Sequence, residues 1–105
     1  MNTQLKIVTK GCPAESAEDL YQAFKNDFGN YKPIDAAVRV VTAYYRGECD
    51  DLDFVMDKMA HAYHTETAAR MIARRASKKD EDYSFKVNKA NCLGEIINHL
   101  EFCLK

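Results

Sequence analysis

Three histidines, four cysteines and two groups of adjacent carboxylates are the residues of this chain that could do chemistry. His61 and His64 stand three positions apart, a spacing that puts both imidazoles on one face of a helix, as a metal site needs. A zinc signature also requires a second close pair of ligands. Cys12, Cys49, Cys92 and Cys103 are widely separated, with no Cys-x-x-Cys among them. The expectation is reduced thiols, several of them buried as small apolar groups, and no metal. Asp50-Asp51 and Asp80-Glu81-Asp82 offer paired carboxylates for acid–base work, but they sit in charge-rich segments where acids are solvated and not tuned. Gly11, Gly29, Gly47 and Gly94 stand alone, so no phosphate-cradling loop is formed, and no Gly-x-Ser-x-Gly elbow is present. Neither an enzyme nor a cofactor is expected.

What remains is charge and its placement. The formal net charge is −1, which gives no bulk attraction to nucleic acid or to an anionic membrane. Locally the signs separate. Glu48, Asp50, Asp51, Asp53 and Asp57 form an acidic run, and Arg70, Arg74, Arg75, Lys78 and Lys79 a basic one with no acid inside it. Such runs are most often solvated faces, so the elements that carry them decide what they mean.

Those elements are mainly helical, and the chain reads as a single domain over residues 1–105, with an extended arm over 1–13 in which Leu5-Lys6-Ile7-Val8 could form an edge strand. Ser16 is a fitting N-cap, followed by Leu20, Tyr21, Phe24 and Phe28 at helical spacing and stopped at Gly29-Asn30. Pro33 opens a second helix, with Ile34, Ala37, Val38, Val41, Tyr44 and Tyr45 on one stripe and Gly47 at its end. A third helix begins at Asp50 or Asp51, with Leu52, Val55, Met56, Met59 and Tyr63 as its stripe. The next apolar group, Ala68, Met71 and Ile72, is out of phase with that stripe at about 100° per residue. A break at His64-Thr65, with Thr65 as a new N-cap, repairs the phase and gives two helices, about 51–63 and 66–76, which is favoured over the alternative of one long helix. Tyr83-Ser84-Phe85-Lys86-Val87 alternates as a short strand or extended loop does. A last helix follows, capped by Asn88 or Asn91, with Leu93, Ile96, Ile97, Leu100 and Leu104 on one side. The fold expected is therefore an all-α compact bundle of about five short helices, with at most one or two short strands.

The segment Met59-Ala60-His61-Ala62-Tyr63-His64-Thr65-Glu66-Thr67-Ala68-Ala69-Arg70-Met71-Ile72 resembles the helix-turn-helix of small phage regulators of the lambda Cro and lysogeny-control type. Ala60 matches the small residue of the first helix, Tyr63 the apolar place before the turn, and Met71-Ile72 the apolar anchor of the recognition helix. The resemblance implies that Thr65, Thr67, Arg70 and Arg74 face double-stranded DNA, with Arg75, Lys78 and Lys79 near phosphates.

Two functions follow as expectations. One is a DNA-binding transcriptional regulator of phage or mobile-element type, reading a short operator through residues 65–79. The other is a non-enzymatic protein-binding inhibitor, antirepressor or anti-CRISPR-like, acting through charged patches; Glu48, Asp50, Asp51 and Asp53 would then occupy a basic site on a partner. A cytoplasmic location is expected, because no apolar run approaches the roughly 20 residues of a membrane span and the first residues do not read as a signal peptide. The apolar end Leu100-Glu101-Phe102-Cys103-Leu104-Lys105 leans towards a homodimer.

Overall fold

A computed structural model of the chain describes residues 13–105, and the extended arm expected before Pro13 lies outside the described residues. Within them the chain forms four helices: α1 (Pro13–Phe28), α2 (Lys32–Tyr45), α3 (Leu52–Arg75) and α4 (Tyr83–Cys103). No strand occurs among the described residues. The short connections 29–31, 46–51 and 76–82 turn each helix back along the one before it. α1 and α3 each pack against both α2 and α4, and so stand at opposite corners of the bundle.

The core is what the apolar stripes dictate. Tyr21 and Phe24 from α1, Ile34, Ala37, Val38 and Val41 from α2, and Leu93, Ile96, Ile97 and Leu100 from α4 are all buried. At one end the rings interlock: Phe24 meets Phe28 and Tyr31 at centroid distances of 5.0 and 5.3 Å, and Phe28 meets Phe85 at 5.1 Å. Lys89 of α4 donates to the Tyr31 hydroxyl at 3.1 Å. Tyr31 in turn sends its backbone N–H to the Tyr21 hydroxyl at 3.2 Å, so α1, α2 and α4 are tied at this end. Here aromatic edges and faces supply shape as well as area.

The helix boundaries follow local chemistry, and several differ from the sequence expectation. α1 includes Pro13, whose missing N–H suits a first turn, so Ser16 is a buried residue inside the helix and does not cap it. α2 ends in a Schellman arrangement. Gly47, at φ +79°, donates to the Tyr44 carbonyl at 3.1 Å, and Glu48 N–H reaches the Ala43 carbonyl at 2.8 Å. α4 starts at Tyr83, not at Asn88 or Asn91, and its first turns take in the segment expected to be extended. The alternation in 83–87 is also a helical spacing, since Tyr83 and Val87 are four apart and share a half-buried side. The ion pair of Lys86 with Asp82, at 3.4 Å, spans the same turn.

The main correction concerns α3, which runs unbroken through His64-Thr65 for 24 residues. The two helices expected over 51–63 and 66–76 are one, and the turn of a helix-turn-helix is not formed. The sequence reading assumed that the large apolar residues face inward. Instead the inward residues are Val55, Met59, Ala62, Glu66 and Ala69, followed by the partly buried Ala73, a uniform alternation of four- and three-residue steps. Met71 and Ile72, the supposed anchor, are 40% and 47% exposed. With Ala62, Glu66, Ala69 and Ala73 continuing the seam of Val55 and Met59, no phase break exists to repair. Residues 60–75 contain neither glycine nor proline and are rich in alanine, arginine and methionine, which favour helix. Thr65 does not cap: its hydroxyl donates back to the His61 carbonyl at 3.1 Å, as a threonine inside a helix does.

Candidate interaction surface on the third helix

Because α3 is continuous, its acidic and basic runs become the two ends of one rod about 36 Å long at 1.5 Å per residue. The acidic end is built by the cap. The Asp51 carboxylate accepts the Phe54 N–H at 3.0 Å, and Asp53 follows in the first turn, where a negative charge suits the helix dipole. Glu48 is placed by the Schellman turn and Asp50 is exposed beside it. Among these acids stand four large apolar side chains. Tyr45, Leu52, Phe54 and Met56 are 44–46% exposed, although Tyr45, Leu52 and Met56 were expected in the inner stripes. Leu52 and Met56 are neighbours four apart on one side of α3, and Lys58 lies over the Phe54 ring at 5.0 Å on the other.

The basic end has a different character. Arg74 and Arg75 fill the last turn of α3, where cations complement the dipole. Lys78 and Lys79 lie in the connection to α4, shaped by Lys79 N–H on the Ser77 hydroxyl and Ser77 N–H on Asp80, both 3.2 Å. Arg74, Arg75, Lys78 and Lys79 form no ion pair among the described residues. The residues expected to face DNA are not brought to one side. Thr67, Arg70 and Arg74 lie along one flank of α3, but Thr65 is nine residues from Arg74 and so points about 180° away from it.

Arg70 is also engaged in the fold. Its guanidinium pairs with the Glu66 carboxylate at 2.5 Å, and Glu66 sits in the inner seam at 8% exposure. Both groups lie against Gly94 of α4: a β-carbon there would meet Arg70 Nη2 at 3.2 Å and Glu66 Oε2 at 3.3 Å. The glycine therefore makes room for the ion pair between the helices. One turn earlier the Tyr63 hydroxyl donates to Glu101 of α4 at 2.6 Å. Burial, and then that hydrogen bond, push the Tyr63 phenol up to about 12. Sequence reasoning passed over this interface. Its one readable signal was Glu66 at the four-and-three spacing shared by Met59, Ala62 and Ala69.

No described group combines three or more His, Cys, Asp or Glu in a way that could hold a metal ion. His61 is exposed, with Nδ1 4.0 Å from Asp57, and His64 is exposed on the outer side. Burial pushes the Cys92 thiol up, the opposite of what activates a nucleophile. No described helix is long and apolar enough to cross a membrane. Comparison of the chain with protein families, characterised proteins and solved structures finds no match.

Proposed function

We propose that this chain is a non-catalytic protein-binding module that docks through the α2–α3 end of the bundle. The observation that carries this reading is the company of Tyr45, Leu52 and Met56, all 44–46% exposed, with Glu48, Asp50, Asp51 and Asp53. Apolar side chains supply contact area and the acids around them supply orientation and selectivity, the usual division between the centre and rim of an interface. The partner that fits is a protein surface with an apolar recess inside a basic rim. A nucleic-acid site on a regulator or nuclease has that chemistry, so inhibition by occupation of such a site is the specific form proposed.

The test is affinity capture from a lysate of the cells that encode the chain, using wild type and the double variant Leu52→Asp/Met56→Asp. Both positions are exposed, so the variant keeps its fold. A stoichiometric protein held by wild type and lost with the variant supports the reading. No stoichiometric protein, or one held equally by both, contradicts it.

A second reading, DNA binding by the basic end, has one observation in its favour: Arg74, Arg75, Lys78 and Lys79 are without ion-pair partners among the described residues. They cluster at the C-terminal end of α3, where carbonyls and not N–H groups would meet a phosphate. A gel shift with random-sequence duplex at low and physiological salt separates the readings. Salt-sensitive binding lost on Arg74→Ala/Arg75→Ala would favour DNA.

A further inference from the structure

We propose that two copies of this chain associate antiparallel along the outer face of α3. Opposite the buried seam of Val55, Met59, Ala62, Glu66 and Ala69, helical rotation places Asp53, Asp57, Ala60, His64, Ala68, Met71 and Arg75. All seven are exposed. The stripe is acidic at its start, carries Ala60, His64, Ala68 and Met71 through its middle and is basic at its end. A two-fold interface brings a surface against itself, so every contact between unlike positions is made twice. For a stripe of this polarity only the antiparallel arrangement sets acid against base; a parallel pair would put Asp57 on Asp57.

The register is fixed by the charges. When Asp57 of one copy meets Arg75 of the other, His64 meets Ala68, and Ala60 and His61 meet Met71 and Ile72. The same alignment carries Asp53 towards the segment holding Lys78 and Lys79. Ala60 and Ala68 keep the centre low, which lets the two helices approach. With a net charge of −1 per copy, long-range repulsion is slight.

A single helix face about 36 Å long and ~10 Å wide covers on the order of 400 Å² per copy, against the ~800 Å² of a standard interface. The association is therefore weak and transient, and it responds to concentration and salt. It goes beyond the docking surface at the α2–α3 end and shares only Asp53 with it, since Leu52 and Met56 lie on the flank of α3 and not on this stripe.

Sedimentation equilibrium from low to several hundred micromolar tests it with wild type, Asp57→Arg, Arg75→Asp and the double charge exchange. Circular dichroism confirms that each variant is folded. Wild type should rise from 12.0 kDa towards twice that mass. Each single variant places like charges in both halves of the interface and should weaken association by about tenfold or more. The double exchange should restore it to within about threefold. A wild type that remains monomeric throughout overturns the proposal. So do single variants that associate as wild type does, or a double exchange that fails to restore.

Discussion

Replacing Thr67 with proline separates a continuous α3 from a broken one by the sign and size of a single stability change. Thr67 is exposed on α3, fifteen residues past Leu52, and its side chain makes no hydrogen bond among the described residues. In an unbroken helix, proline there deletes the backbone bond to residue 63 and pushes its ring against that carbonyl, costing about 3 kcal/mol or more. In a chain that turned at His64-Thr65, residue 67 would lie in a first helical turn, where the N–H has no intrahelical acceptor and proline costs little. Thr67→Ala is the control, neutral or stabilising by a few tenths of a kcal/mol through helix propensity. Urea unfolding followed by circular dichroism reads the difference. With a slope of about 2 kcal/mol per molar, the midpoint of Thr67→Pro should fall by about 1.5 M or more relative to Thr67→Ala. Midpoints agreeing to within about 0.25 M would refute a continuous helix and return the turn to residues 64–65.

Further predictions concern the two faces of α3 and its contact with α4. Met59→Ala empties a fully buried site and should cost about 2–5 kcal/mol, whereas Ile72→Ala, on the exposed side, should cost under about 1 kcal/mol; thermal or urea unfolding checks both. Arg70→Ala leaves the Glu66 carboxylate beside Gly94 without its donor, so it should destabilise the fold by about 1–2 kcal/mol, the lower part of the usual range because the guanidinium is half exposed. Equal stability of Arg70→Ala and wild type would remove the structural role given to that pair. Tyr63, held near 12 against an ordinary tyrosine value of 10.0, keeps its proton in the folded chain after the unfolded chain has lost it. The associated stability is therefore complete below pH 10 and lost as pH rises from 10 towards 12. Burial also raises Tyr21, so phenolate absorbance should show more than one delayed tyrosine, and Tyr63→Phe should remove the step near pH 12.

The parts of the fold that could be read from sequence are those where large apolar residues mark the inside. Phe24, Ile34, Val41, Leu93, Ile96 and Leu100 were all legible as core because each falls on a stripe of apolar residues at three- and four-residue spacing. Gly29 and Gly47 were legible as stops, since both adopt positive φ. Asp51 was legible as a start through its short reach to a backbone N–H. In α3 the rule holds at Val55 and Met59 and then inverts, with Ala62, Ala69 and a paired Glu66 facing in while Met71 and Ile72 face out. Hydrophobicity weighted by size then finds the wrong face and invents a phase break. In the candidate surface, the acidic residues were legible by type. The exposed apolar residues among them were not, because sequence gives no means of telling a surplus apolar side chain from a core one until the core is full.

In vivo photocrosslinking from a benzoylphenylalanine placed at Met56 tests the docking surface most directly, with the same group at the exposed Arg39 on α2 as control. A docking surface around Met56 gives a discrete heavier protein adduct from position 56 and none from position 39. An absence of protein adducts at 56, together with nucleic-acid adducts from a group placed at Arg75, would contradict it.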